Sequence, residues 1–221
     1  MGNLRMGIPK DQIIFFKTQL NIDTFIETGT YKAQSSIWAS QVFKNVHTIE
    51  NSKAIFDDNI ELIKKYPQIN FHYGHSKVIL TQILENLKSE AIIWLDAHWS
   101  GMDTYGENDE CPLIDEINTI ITSNPNHIIL IDDARLFLMP PPLPHLAKQW
   151  PSIKEIVLTF NQSEQYIVVF EDVIIAVPPS AKEMMCEYFQ DISTLNWNQK
   201  SGAQIKEGLI QIKDGILRWF K

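Results

Sequence analysis

The stretch Thr24-Phe25-Ile26-Glu27-Thr28-Gly29-Thr30-Tyr31 decides the fold that this sequence predicts. Residues 24–26 favour a β-strand; an acid and a glycine follow, and then a helix-like segment over Lys32–Phe43. A strand, a tight glycine turn and a helix build the pocket at the carboxyl end of the first strand in many α/β proteins. Glycine lets the backbone approach a ligand, and the helix N-terminus offers unpaired N–H groups. The stretch therefore favours a nucleotide-type pocket.

A second strand-like run, Asn45–Ile49, ends at Glu50. In dinucleotide-binding folds an acid at this point holds the ribose hydroxyl groups. The full G-x-G-x-x-G fingerprint is absent, because Gly29 is the one glycine in the turn. The first two strands therefore indicate a pocket but leave its ligand open.

Strands and helices continue to alternate along the chain, after a leading helix over Asp11–Leu20. Further strands are predicted at Ile69–Tyr73, Ala91–Leu95, His127–Ile131, Tyr166–Phe170 and Val173–Val177. Further helices are predicted at 52–66, 77–87, 112–122 and 180–189, and one more starts at 150–152 and runs through 157. Two residues separate the last two strands, which is typical of a β-hairpin. This pattern predicts a doubly wound α/β sheet, mostly parallel, with a C-terminal antiparallel hairpin and helices on both faces.

Length and composition limit the protein class. The 221 residues are 44% hydrophobic and 21% charged, which suits a soluble globular protein. We expect one domain over 1–221, with a core at about 22–178 and a C-terminal helix and tail at 179–221. The net charge of −8 argues against a nucleic-acid partner. Cys111 and Cys186 match no metal or redox spacing, and no run approaches the ~18 apolar residues of a membrane span. We expect a cytoplasmic protein that binds no membrane.

Polar residues and glycines are concentrated where the predicted strands end, and the strand bodies hold almost none. The carboxyl ends of parallel strands form the ligand crevice. The residues at these ends are Glu27-Thr28-Gly29, Glu50-Asn51, Gly74-His75-Ser76, Asp96-Ala97-His98 and Asp132-Asp133. This concentration is the strongest functional signal in the sequence.

Asp96, Asp132 and Asp133 follow the two most apolar strands, so we expect them to be neighbours. Converging carboxylates repel one another, and a hard divalent cation relieves that repulsion. The alternative is that Asp132 or Asp133 simply caps a loop or helix. His98 is a candidate base or ligand; the alternative is a loop histidine bonded to backbone.

Two further segments have open interpretations. Ser76 either contacts a ligand or caps the next helix. The acids Glu107, Asp109 and Glu110 lie in the long loop over 97–111, where we expect them to be solvated on a mobile lid. The proline-rich segment 139–144 predicts a stiff surface loop. The tail from Asn196 is either a second hairpin or an oligomer contact. Formation of a homo-oligomer therefore remains one of the open interpretations.

Four motifs together resemble class I S-adenosylmethionine-dependent methyltransferases. They are Glu27-Thr-Gly-Thr-Tyr, Glu50, Leu95-Asp-Ala-His-Trp-Ser and Ile131-Asp-Asp. More narrowly, the chain is similar to the macrocin O-methyltransferase and cephalosporin hydroxylase-like group. The resemblance covers about residues 22–178 and implies a Rossmann-like methyltransferase sheet that ends in a hairpin.

The resemblance also implies a set of site residues. Mg2+ or another hard divalent cation would be held by Asp96, Asp132 and Asp133. Residues 27–30 would face the methionine part of S-adenosylmethionine, and Glu50 its ribose. The cofactor-binding residues so implied are Glu27, Thr28, Gly29, Thr30, Tyr31, Ser35, Glu50, Asn51, Gly74, His75, Ser76, Asp96, Ala97 and His98. The catalytic residues would be Asp96 and His98.

The implied reaction transfers a methyl group from the sulfonium to a hydroxyl oxygen of a small acceptor, for which a sugar is one candidate. Asp96 or His98 would take the hydroxyl proton. Two alternatives belong to other classes: a non-catalytic cofactor- or nucleotide-binding module, and a glycosyltransferase-type enzyme. Cofactor binding without turnover would favour the first, and binding of a nucleotide-sugar the second.

Overall fold

The computed structural model describes residues 7–99 and 109–199. The chain divides into two compact units, Met1–Pro179 and Ser180–Lys221. The first unit contains the whole sheet. The second begins with a helix, α8, which covers residues 182–199. A single domain over 1–221 stays a prediction.

The first unit is built on a seven-stranded sheet in the order β3-β2-β1-β4-β5-β7-β6. The strands are β1 Thr24–Thr28, β2 Asn45–Glu50, β3 Ile69–Tyr73, β4 Ala91–Leu95, β5 Ile128–Ile131, β6 Tyr166–Phe170 and β7 Val173–Val177. β1 to β5 pair in parallel, and β7 runs antiparallel between β5 and β6. The mostly parallel sheet with a C-terminal hairpin is confirmed.

The helices connect the strands and cover the sheet. They are α1 Lys10–Leu20, α2 Gln34–Ser40, α3 Lys53–Ile63, α4 Ser76–Asn86, α5 Leu113–Ser123, α6 Arg135–Leu138 and α7 Ile153–Phe160, with 3-10 turns at Ala147–Gln149, Asn161–Ser163 and Pro179–Ala181. The side chains of β4 are buried along its whole length, as expected for a strand covered on both faces. None of the described helices is long and apolar enough to cross a membrane.

Three helices differ from the prediction. α2 begins at Gln34, not Lys32, because Ala33 has a left-handed backbone with φ 56°. α6 was missed; its four residues are too few to show a helical period. α8 continues to residue 199, so residues 196–199, expected in a hairpin or an oligomer contact, are helical. The rest of that tail, 200–221, lies outside the described residues.

The main hydrophobic core lies between one face of the sheet and helices α4, α5 and α7. Alternate strand residues such as Ile26, Ile93 and Ile129 point into it, and Ile117 and Phe160 meet them from the helices. The period of two along the strands fixes which residues enter this core. The core therefore holds the strands in register, and their carboxyl ends lie along one edge.

Candidate functional site

The ends of the parallel strands are joined by backbone hydrogen bonds. In each case the residue after a strand donates its N–H to a carbonyl oxygen at the end of the neighbouring strand, at 2.9–3.1 Å. The pairs are Gly29 to Ile49, Gly74 to Glu50, Asp96 to Thr28 and Asp132 to Leu95. These bonds place the predicted residues 27–29, 50, 74, 96 and 132 along one continuous edge.

The turn after β1 requires glycine because another backbone segment lies against it. Gly29 has φ +86°, and a Cβ atom there would lie 2.2 Å from the carbonyl oxygen of Asp96. The sequence suggested that glycine makes room for a ligand; in the structure it makes room for the loop after β4. Tyr31 and Ala33 in the same turn also have positive φ, 45° and 56°. The turn is thus a fixed support for Asp96.

Glu27 lies beneath this turn and is fully buried. Its carboxylate accepts hydrogen bonds from the hydroxyl groups of Ser35 and Ser36 on α2, and from Thr48 Oγ1 on β2 at 2.8 Å. Thr48 Oγ1 also lies 2.6 Å from Thr30 Oγ1. Burial raises the pKa of Glu27 to about 7, because lost solvation outweighs the three hydroxyl groups. Glu27 and Ser35, both predicted to bind the cofactor, are therefore bonded to each other.

Glu50 ties the first turn to the start of α3. Its Oε2 accepts from the N–H of Tyr31 at 3.0 Å, and its Oε1 accepts from the N–H of Ser52 at 2.8 Å. Asn59 Nδ2 donates to the carbonyl oxygen of Tyr31 at 2.6 Å, which fixes the same turn from α3. The Tyr31 side chain is exposed, and Asn51, beside Glu50, is half-buried. The acid thus lies where the sequence predicted it.

The residue that caps α4, in the turn after β3, is not the one that the sequence suggested. His75, not Ser76, is the N-cap, and its Nδ1 accepts from the N–H of Lys77 at 3.3 Å. The buried Ser76 hydroxyl donates to Glu116 on α5 instead. His75 Nε2 lies 3.8 Å from Asp109 Oδ2. His75 therefore remains half-exposed at the edge, while Ser76 is used inside.

The loop after β4 brings His98 between two predicted metal ligands. His98 Nε2 lies 2.9 Å from Asp133 Oδ2, and its Nδ1 lies 3.7 Å from Asp96 Oδ1. Burial alone would lower the pKa of His98, but the hydrogen bond to Asp133 and the carboxylate charges around it raise that pKa. His98 is therefore a side-chain-bonded residue of the acid cluster, and the alternative of a backbone-bonded loop histidine is wrong.

Arg135 and Asp172 complete this cluster and were not predicted. Arg135 NH1 donates to Asp133 Oδ1 at 2.6 Å and also contacts the carboxylate of Asp172. Asp172 is 1% exposed and lies in the turn between β6 and β7. Because β7 runs antiparallel to β5, this turn lies beside the carboxyl end of β5. The signal in the sequence for this contact was the hairpin itself, because an antiparallel strand beside β5 brings the turn before it to the carboxyl end of β5.

Asp96 and Asp132 differ from Asp133 in their protonation. Burial raises the pKa of Asp96 well above its usual range, with the charge of Asp132 adding to the effect. Burial and the charge of Asp133 raise the pKa of Asp132 to about 6. Burial would also raise the pKa of Asp133, but His98 and Arg135 hold it below its usual value. The two acids with raised pKa values are the ones that a cation would stabilise most.

The acids that lie close enough to share an ion differ in part from the predicted set. Within the described residues, the carboxylate oxygens of Asp132, Asp133 and Asp172 lie within 4.8 Å of one another. Asp96 is at the same edge but outside that group. Asp133 and Asp172 already contact Arg135, so a positive side chain stands among these acids.

The acidic part of the long loop is not simply solvated, as the sequence suggested. Glu110 is 1% exposed and accepts from Trp150 Nε1 at 2.6 Å and from the N–H of Leu146 at 2.9 Å. His145 Nδ1 lies 3.3 Å from the same carboxylate, and the backbone oxygen of Glu110 accepts from the N–H of Trp99 at 2.7 Å. Asp109 is exposed, and Glu107 lies outside the described residues. Glu110 thus fastens one end of the loop to segment 145–150.

Glu116 is a second buried acid that the sequence did not single out. It lines a small cavity with His98, Cys111 and Phe137, among others. Its Oε1 has no hydrogen-bond partner among the described residues, and burial raises its pKa to about 7. Glu116 lies among apolar residues of α5, and nothing in that pattern marks it as a site residue. Only the fold brings it close to Thr28 and His98 at the ends of β1 and β4.

Comparison with known proteins supports the fold. No protein-family model matches the sequence, and neither does any curated protein. A methyltransferase from Podospora anserina bound to S-adenosylhomocysteine matches with a TM-score of 0.54 at 20% identity, covering 75% of this chain and 76% of that one. A putative caffeoyl-CoA O-methyltransferase from Staphylococcus aureus matches at 0.54 and 12% identity, covering 79% and 86%.

A third solved structure is similar over most of its length. It is a putative methyltransferase from Streptococcus mutans in complex with S-adenosylhomocysteine, with a TM-score of 0.51, 9% identity and coverage of 78% of this chain and 98% of that one. At these identities the similarity concerns the fold. The chain has the Rossmann-like methyltransferase fold.

Proposed function

We propose that the protein is an S-adenosylmethionine-dependent O-methyltransferase, assisted by a divalent metal, that acts on a small hydroxylated acceptor. One observation carries the proposal: a fixed glycine turn, Glu50, and the group Asp96, His98 and Asp132 lie along one edge of a sheet with the methyltransferase fold. Two of the similar structures contain S-adenosylhomocysteine, which supports the cofactor. The net charge of −8 supports a small-molecule acceptor over nucleic acid.

The cofactor would lie across the turn after β1. Glu50 is held by two backbone N–H groups, yet a carboxylate oxygen has more than one lone pair and can accept again from ribose hydroxyl groups. Gly29 and Thr30 would support the methionine part, and His75, at the N-terminus of α4, would border the far end. All of these residues belong to the predicted cofactor-binding set. Glu27 and Ser35, from the same set, would support the turn from beneath it and not contact the cofactor.

The donor chemistry of the edge fits a hard divalent cation. Asp96 and Asp132 offer carboxylate oxygens, the ligands that Mg2+ prefers, and both have raised pKa values that a cation would lower. Asp133 is the third predicted ligand. S-adenosylmethionine would supply the methyl group, and the cation would lower the pKa of the acceptor hydroxyl.

Of the residues that the structure describes, His98 is the one we infer to act as the base. Its Nε2 is engaged by Asp133, which leaves Nδ1 on the side of Asp96 to take the acceptor proton. Asp96 would orient the acceptor against the turn that its own backbone contacts. Vicinal hydroxyl groups, as in a sugar or small polyol, suit an edge lined by carboxylates. A sugar is therefore the first acceptor class to test.

Calorimetry with S-adenosylhomocysteine, in magnesium and again in EDTA, tests the cofactor first. Micromolar binding is expected; no binding in either condition, or binding of nucleotide-sugars instead, contradicts the proposal. Methyl transfer from a labelled donor to sugars and polyols then tests catalysis. Asp96→Asn and Asp132→Asn should abolish transfer, whereas Asp57→Asn, at an exposed position on α3, should not. Cofactor binding with no turnover on any acceptor would favour a binding module.

A further inference from the structure

The hairpin turn at the end of the sheet carries a buried acid that the proposed reaction does not use. Asp172 is 1% exposed, and its Oδ1 accepts from the N–H of Arg135 at 3.0 Å. Its carbonyl oxygen accepts from the N–H of Ala134 at 2.8 Å. Its Oδ2 contacts the Arg135 guanidinium. The turn therefore fixes both the backbone and the side chain at the start of α6.

The same arginine reaches back to the site. Arg135 NH1 donates to Asp133 Oδ1 at 2.6 Å, and the other oxygen of Asp133 lies 2.9 Å from His98 Nε2. Both oxygens of Asp133 are thus occupied, one by a permanent cation and one by the imidazole. The four side chains form a continuous chain from the hairpin turn to the candidate base.

We propose that Asp172 and Arg135 are positioning residues that hold Asp133, so that Asp133 keeps His98 in the tautomer protonated at Nε2. The inference rests on the proposed function for its kinetic consequence, because there His98 is the base. Asp133 acts as an acceptor, so the nitrogen facing it must carry hydrogen. Neutral His98 then has its lone pair on Nδ1, and the 3.7 Å from there to Asp96 Oδ1 is too long for a hydrogen bond. Among the described residues Nδ1 has no hydrogen-bond partner, which leaves it for the acceptor proton.

Arg135 provides the second side-chain contact of Asp133, in addition to His98. Asp133 has a left-handed backbone with φ 55°, and its side chain is 16% exposed. We expect loss of the guanidinium to let the carboxylate rotate away from the imidazole. Asp172 in turn prevents Arg135, whose side chain is 38% exposed, from leaving. Burial of Asp172 makes this contact hard to lose, since an unpaired buried carboxylate is costly.

The arrangement also changes the expected metal ligands. One oxygen of Asp133 faces the cationic guanidinium of Arg135 and the other faces His98, so a metal ion at Asp133 would be repelled by Arg135 or would have to displace it. Asp133→Asn should therefore alter the histidine more than it alters metal binding. This separates the positioning role from the ligand role that the sequence suggested for Asp133.

Ring nitrogen NMR of the full chain, with its six histidines labelled with 15N, tests the tautomer directly. The His98 signal is assigned by its loss in His98→Gln. At a pH where the ring is neutral, wild type should show Nε2 protonated, Arg135→Met should show a mixture, and Arg135→Lys should restore most of the wild-type state. Asp172→Asn should shift the signal in the same direction as Arg135→Met, and Glu171→Gln, next to it in the turn, should not.

Kinetics provide the second measurement. For Arg135→Met we expect kcat to fall about tenfold or more with KM nearly unchanged, as when a supporting residue behind a reacting group is lost. Arg135→Lys should recover most of that loss. Unchanged His98 nitrogen shifts in both Arg135→Met and Asp172→Asn overturn the inference. The nitrogen shifts need no cofactor or acceptor, so failure of the proposed methyl transfer would be recognised separately.

Discussion

Replacement of Glu27 by glutamine should remove a large part of the pH dependence of stability. Glu27 is fully buried and its carboxylate accepts from three hydroxyl groups, yet burial raises its pKa from 4.5 to about 7. The folded protein therefore holds a proton on Glu27 between those pH values, where the unfolded chain has released it. A raised folded pKa gives stability that is complete below the unfolded pKa and is lost as pH rises through the folded pKa.

The size of the effect follows from the two pKa values. Each pH unit between 4.5 and about 7 is worth about 1.4 kcal/mol, so Glu27 should contribute a decline of about 3 kcal/mol in the free energy of unfolding. Glutamine has nearly the same shape and does not ionise; its amide oxygen can accept from hydroxyl groups on one side, and its NH2 group can donate to a hydroxyl oxygen on the other. Near pH 4.5 the two proteins should have similar stability, and near pH 8 the variant should be more stable by that amount.

Urea unfolding followed by tryptophan fluorescence, at half-unit steps from pH 4.5 to 8, measures this difference. Other buried acids, Glu116 and Asp132 among them, also titrate, so the useful quantity is the variant curve minus the wild-type curve. Glu85→Gln, at an exposed position on α4, is the matched control for the loss of one surface carboxylate. Parallel curves for Glu27→Gln and wild type would refute the reasoning, because Glu27 would then ionise in the folded protein as easily as in the unfolded chain.

Three further substitutions test single contacts by the same unfolding assay. Gly29→Ala should cost about 3 kcal/mol or more, since its Cβ would lie 2.2 Å from the Asp96 carbonyl oxygen at a positive φ; a cost below about 1 kcal/mol would contradict this. Trp150→Phe removes a 2.6 Å hydrogen bond to buried Glu110 and should cost about 1–3 kcal/mol; a neutral result would mean that the remaining donors suffice. Glu171 is exposed and has a left-handed backbone with φ 54°, which glycine adopts without strain. Glu171→Gly should therefore stabilise the folded protein by about 0.5–1 kcal/mol, and Glu171→Ala should give no such gain.

The sheet could be predicted because each strand carries its own signal. Ala91–Leu95 and the run to Ile131 are continuous apolar segments, and both are buried central strands. The two residues between Phe170 and Val173 fixed the hairpin. The order of the strands had weaker local signals, and α6 was missed because its four residues are too few to show a helical period. Local patterns identify elements; long-range packing decides where short helices form.

The site was predictable only in part, for the same reason. Glu50, Asp96 and Asp132 follow strands, and the parallel topology brings all strand ends to one edge. Arg135 and Asp172 are far apart in sequence and meet only because an antiparallel strand reverses direction there. The sequence could list acids at strand ends, but it could not show which of them are paired with a positive side chain.

The charges along this edge favour a sulfonium cofactor over a nucleotide-sugar. Among the described residues that contact Asp96, Asp132 and Asp133, the basic side chains are His98 and Arg135, and Asp133 engages both. A nucleotide-sugar would bring two more negative phosphate groups to an edge where burial, together with the charges of neighbouring carboxylates, already raises the pKa of Asp96 and Asp132. Such a ligand would require enough bound cation to neutralise both. S-adenosylmethionine brings one positive charge, which itself offsets the repulsion among the carboxylates. It can therefore bind at this edge with less compensating positive charge than a nucleotide-sugar would need.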